Sequence, residues 1–85
     1  MKTVILVSID FDDLPIPFKI ASENEPNKSQ ILEKIIDIVN QCGLSKEVKF
    51  KSFHQEKGQK LYFYQIGDAD CYVFVERIEI WELSM

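Results

Sequence analysis

The chain is poor in the residues that build most recognisable sites. It has one histidine, two cysteines, three glycines, three prolines and one tryptophan among 85 residues. Three isolated glycines, Gly43, Gly58 and Gly67, do not make a glycine-rich phosphate loop. His54 has no second histidine, no CxxC pair and no ligand spacing to Cys42 or Cys71, so neither a metal nor a cofactor is expected. Ser52 lies two residues from His54 on one strand face, but such a pair also needs an orienting carboxylate and an oxyanion hole. His54 is read as a solvent-facing strand residue. Cys42 ends an apolar helical face and Cys71 opens an apolar strand, so both are read as free, buried thiols rather than a disulfide. Long hydrophobic runs are also missing. The run TVILVSI stops at Asp10, short of a signal h-region with a cleavage site and far below the ~20 residues of a membrane span. The expectation is a cytoplasmic chain with no membrane segment.

Basic residues are outnumbered ten to fourteen, and the net charge of −4 points away from direct nucleic-acid binding, which needs a basic footprint. The charges are unevenly distributed. Residues 44–61 carry Lys46, Lys49, Lys51, Lys57 and Lys60 against Glu47 and Glu56, a basic hairpin of net +3. Residues 1–43 hold a net −3, and residues 62–85, with Arg77 against Asp68, Asp70, Glu76, Glu79 and Glu82, a net −4.

One strong helix is present, over residues 26–43. Ile31, Leu32, Ile35, Ile36, Ile38, Val39 and Cys42 recur at the three-and-four spacing of one face. Asn27 with Gln30 forms a capping box, and Gly43 is the residue expected to end the helix in the left-handed conformation. The remainder reads as strand. Residues 2–10 are apolar in both alternating sets, which predicts an interior strand covered on both faces. Residues 16–21 are read as a hairpin partner at an edge, because Pro17 cannot donate to a ladder, or else as an extended loop. Residues 47–55, 60–66 and 71–83 form an antiparallel meander, with Gly58 at a tight turn. In the last strand either Glu76 interrupts the buried face or a bulge near Glu76 and Arg77 switches the faces. The predicted fold is a single α+β domain over 1–85, an antiparallel four- or five-stranded sheet on one helix, in ββαβββ or βαβββ order.

The string ILVSIDFDDLP, a hydrophobic strand running into Asp-x-Asp, resembles the first motif of haloacid-dehalogenase-type phosphatases. That resemblance implies a nucleophile at Asp10 and an acid/base at Asp12, with magnesium alongside. It covers about a tenth of the chain. The family also carries further Ser/Thr, Lys and acidic motifs on a Rossmann-like parallel sheet, for which this chain has no room. The chain is therefore read as non-enzymatic.

One helix cannot cover both faces of a sheet whose strands are apolar on both. The second face must curl on itself, pair with another copy, or bind something else. The acidic C-terminal residues Asp68, Asp70, Glu76, Glu79 and Glu82 serve either as solubilising, edge-protecting charges or as a docking face, with Trp81 as its anchor. The expected function is a small acidic binding module that occludes a protein partner with a basic surface. Nucleases and toxins are candidates, in the manner of inhibitor, immunity, antitoxin or phage counter-defence proteins. That comparison rests on size and charge alone. The alternative is a homo-oligomeric structural or regulatory subunit, a homodimer in the simplest case, that buries the second sheet face against itself.

Overall fold

Residues 2–11, apolar in both alternating sets, form an interior strand with a neighbour on each edge, as expected, but the helix covers only one of its two faces. The computed structural model describes residues 2–43 and 47–80. Its elements run β1 (Lys2–Phe11), β2 (Phe18–Ser22), α1 (Lys28–Gln41), β3 (Val48–Glu56), β4 (Gln59–Ile66) and β5 (Ala69–Ile80). The five strands form one antiparallel sheet in the order β2-β1-β5-β4-β3. The fold is α+β, in ββαβββ order. β2 begins directly after Pro17 and lies at one edge, where a missing N–H costs no ladder bond. β3 forms the other edge, so α1 connects the two edge strands across one face of the sheet.

The helix boundaries follow from local chemistry. The Asn27 side chain accepts from the Gln30 N–H at 2.8 Å, and the Asn27 N–H donates to Gln30 Oε1 at 2.9 Å. This reciprocal box satisfies two N–H groups that a helix start leaves unpaired. The helix ends at Gly43, whose φ of 73° suits a residue without a Cβ. Ile31, Ile35, Ile38 and Val39 are buried against β1, β4 and β5 residues Ile5, Val7, Ile9, Tyr64, Cys71 and Val73, and Leu32 packs at the margin. Two residues of the expected stripe lie outside it. Ile36 is 41% exposed, because it sits about 100° round the helix from Ile35. Cys42 is exposed as well, since it caps the helix where the chain turns away. Cys71 is buried, and both cysteines are free.

The register between β1 and β5 runs unbroken from Lys2–Ile80 to Phe11–Cys71, so no bulge occurs at Glu76. Glu76 stands on the face away from the helix, opposite Leu6 and Gln59. The sheet irregularity lies in β3 instead, between Phe50 and Ser52, and it leaves Lys51 unpaired on the edge. A bulge with lysines at 49 and 51 discourages edge-to-edge pairing. The part of the expected last strand beyond Ile80 lies outside the described residues.

Candidate functional site

Strand directions decide which charges meet. β1, α1 and β4 all run toward one end of the sheet, where the 12–17 turn, the helix C-terminus and the 67–68 turn come together. The Asp12 N–H donates to the Asp70 carbonyl at 2.9 Å, which ties the two turns side by side. Asp10, Asp12, Asp13, Asp68 and Asp70 therefore share one end of the molecule. Among the described residues, no salt bridge joins any of the five to a cation. The last turn of α1 has no basic residue either. Cations are favoured beside the negative end of a helix dipole. This end gathers carboxylates there instead.

Turn chemistry accounts for Asp12, Asp13 and Asp68, since aspartate suits turns. It does not account for Asp10 and Asp70. Those two lie inside strands, where aspartate is unfavourable. Both project from the face opposite the helix, and Asp70 is only partly exposed. Among the described residues no three His, Cys, Asp or Glu side chains converge as metal ligands would. The aspartates thus form a field over one end rather than a chelating cage.

Apolar groups are exposed beside them. Leu14 and Ile16 are on the 12–17 turn, and Ile16 is 75% exposed. Behind Leu14 a notch of about 80 Å³ opens between the turn and the end of α1.

The other expected site residues are scattered. Asp68 and Asp70 belong to the acidic end. Glu76 lies mid-strand on the face away from the helix, opposite Leu6 and Gln59. Glu79 lies near the far end of β5, opposite Thr3 and on the helix-side face, well past the reach of the helix. Trp81 and Glu82 lie outside the described residues. The acidic C-terminal segment is therefore not one surface. Half of its described carboxylates join Asp10 at the end of β1 and Asp12 and Asp13 of the first turn, and that grouping was missed from sequence. One signal pointed to it. Residues 2–11 and 69–80 are both apolar on two sides, as interior strands are, and pairing them sets their turns together.

The residues weighed for catalysis are placed as follows. β1 is antiparallel to both its neighbours, unlike the strand that bears Asp-x-Asp in a parallel phosphatase sheet. Asp10 is on the open face, and Asp12 is in the turn. His54 is exposed on edge strand β3, opposite Leu61. Ser52 shares its face, opposite Phe63. Among the described residues no hydrogen bond orients the His54 ring. Two buried groups are perturbed by their surroundings. Burial pushes the Cys71 thiol up to about 12, with the nearby Asp10 charge adding to it. Burial, then the neighbouring Tyr62 and Cys71, likewise pushes the Tyr64 hydroxyl up to about 12. Neither group is reactive near neutrality in this state.

Leu6, Leu61, Phe63, Tyr72, Phe74 and Ile78 line the face away from the helix and are half-buried, and Val4, opposite Ile78 on the same face, is buried. The Phe63 and Tyr72 rings meet at 5.0 Å. Among the described residues no element covers this face. No helix among them is long and apolar enough to cross a membrane. Comparison of this chain with known protein families, curated proteins and solved structures finds no significant match.

Proposed function

We propose that this protein is a non-enzymatic binding module whose acidic end docks on a basic protein surface and occludes it. The supporting observation is the gathering of Asp10, Asp12, Asp13, Asp68 and Asp70 at one end, without salt-bridge partners among the described residues and beside a helix C-terminus. Self-repulsion there lowers the stability of the free protein, and a cationic partner relieves it. Carboxylates in such an array steer a basic partner and raise its association rate, by about 10–10³-fold at low salt. The exposed Leu14 and Ile16 supply the apolar contacts that hold the complex once it forms. Surfaces that grip nucleic acid are cationic by necessity, so nucleases and nucleic-acid-handling toxins are the natural targets. An inhibitor or immunity role in the cytoplasm follows from that choice of target. Glu76 and Glu79 do not share this surface, and the docking role falls to Asp68 and Asp70 with Asp10, Asp12 and Asp13.

The second reading, self-association, is favoured by the uncovered sheet face. Its apolar centre spans three strands, which at ~4.8 Å spacing and ~3.3 Å rise is about 400 Å². A standard interface buries about 800 Å² per partner, and a patch of several hundred Å² is ordinary on monomers. Glu76 would also be desolvated within such a dimer. Docking by the acidic end is the better supported of the two.

The test is capture from the source cell with two baits, the wild-type chain and the Asp12→Lys, Asp68→Lys variant. The expected result is a basic protein retained by the wild type and lost by the variant. Equal retention by both overturns the proposal. So does an empty capture by a chain that light scattering shows to be a dimer, which would favour self-association.

A further inference from the structure

The notch at the acidic end has floor, walls and rim of different chemistry. Phe11 and Ile66, from the ends of β1 and β4, form the floor, and Ile38 and Cys42 of α1 form one wall. Leu14 closes the opposite side, and Asp13 stands at the mouth. Its lining is almost wholly carbon and sulfur, yet it belongs to the end of the molecule that carries the aspartates, and Asp13 is the one that lines it. α1 ends at Gln41 here, and the Leu14 N–H donates to the Phe11 carbonyl at 3.0 Å, which closes the turn that brings Leu14 to the notch. At about 80 Å³ the space is large for a water molecule, which takes up roughly 30 Å³ in the liquid, and offers it no set of polar partners. It is of the order of one aliphatic side chain.

We infer that this notch is the anchor hole of the docking surface and receives one aliphatic side chain of the partner, presented between lysine or arginine residues. The inference rests on the docking role proposed above and specifies what that surface recognises. The occupant is fixed by charge complementarity. An acidic segment would approach the notch against the negative charge of this end, and a neutral one would gain nothing from that charge. A segment with cations on both sides of a leucine or isoleucine satisfies rim and hole together. Such an arrangement, one buried anchor with charges around it, concentrates binding energy at the centre and selectivity at the edge. Filling a cavity of this size at about 24 cal/mol per Å³ corresponds to roughly a twentyfold gain in affinity.

The protein carries its own probe of this site. Cys42 is exposed on the notch wall, whereas Cys71 is fully buried with its thiol held protonated, so a maleimide modifies Cys42 selectively. The experiment uses two short synthetic peptides of lysine and arginine, one with a central leucine and one with a central glycine. Calorimetry compares their binding at low and at physiological salt. The leucine peptide should bind about twentyfold more tightly than the glycine peptide. That preference should vanish after Cys42 is alkylated, or in Ala69→Leu, which fills the notch from β5. Circular dichroism confirms the fold of each modified protein. Salt-sensitive binding of both peptides should remain. Equal affinities for the two peptides, each falling with salt, would overturn the anchor hole and leave the acidic docking surface standing. A leucine preference that survives both alkylation and Ala69→Leu would place the anchor elsewhere and also overturn it. If neither peptide binds at low salt, the docking role itself fails, and the anchor hole with it.

Discussion

Ile35 and Ile36 are adjacent, chemically identical and opposite in consequence. Ile35 is 0% exposed at the centre of the helix face, and Ile36 is 41% exposed one residue further round. α1 is the only helix among the described residues, so little else can close over a hole left beneath it. Ile35→Ala removes buried carbon and leaves a cavity bounded by sheet and helix, at a cost of about 3–4 kcal/mol. A domain of 85 residues has a total stability of roughly 4–13 kcal/mol. The loss is thus a large share of the whole, and the melting temperature should fall by roughly 15–25 °C. Ile36→Ala should cost less than about 1 kcal/mol. Ile35→Asp, which sets an unpaired charge between helix and sheet, should abolish the cooperative transition. The assay is thermal and urea unfolding followed by circular dichroism. A near-wild-type transition for Ile35→Ala, or equal losses at the two positions, would refute the packing of this helix.

Two further predictions come from the buried titrating groups. The Cys71 and Tyr64 protons are held in the folded state to about pH 12, above their ordinary values of 9.0 and 10.0. Below the ordinary values both groups are protonated, folded or unfolded, and stability does not depend on them. As pH rises past about 9 the unfolded chain releases its protons first, so stability should fall, by on the order of 3 kcal/mol by about pH 11. Urea titrations across this range should show the decline, and Cys71→Ala should flatten it; an unchanged slope in that variant would mean that the thiol is not its source. Tyr64 is 0% exposed, and its hydroxyl has no hydrogen-bond partner among the described residues. Tyr64→Phe should therefore raise stability by about 1 kcal/mol, whereas a loss of that size would show that the hydroxyl is satisfied.

Local signals carried much of this fold in the sequence. Asn27, Gln30 and Gly43 mark the helix, Pro17 marks an edge, and Gly58 marks a turn, because each acts through its own backbone. The misplaced details are those that depend on distant neighbours. Ile36 looks like a core residue until the width of the stripe is fixed by what lies beneath it. Glu76 looked like grounds for a bulge, but it is accommodated on a face that no helix covers, and the bulge fell at Lys51 instead. The candidate site was hidden for the same reason. Asp10, Asp12 and Asp13 are more than 50 residues from Asp68 and Asp70, and only the pairing of β1 with β5 brings them together. Read along the chain, the charge seemed to belong to the C-terminal segment. In three dimensions that segment is divided between the acidic end, the open face and the far end of β5.

The most direct test of the acidic end is the rate at which the captured partner associates, measured at low and high salt. The comparison is between the wild type and a variant with Asp10, Asp12, Asp13, Asp68 and Asp70 changed to asparagine. Rim charges act over about a Debye length, ~8–10 Å near physiological salt. The wild-type association rate should therefore fall steeply as salt rises. The variant should associate about tenfold or more slowly at low salt, with little salt dependence and a dissociation rate changed far less. Equal association rates for the two proteins at low salt, or a wild-type rate indifferent to salt, would contradict the account.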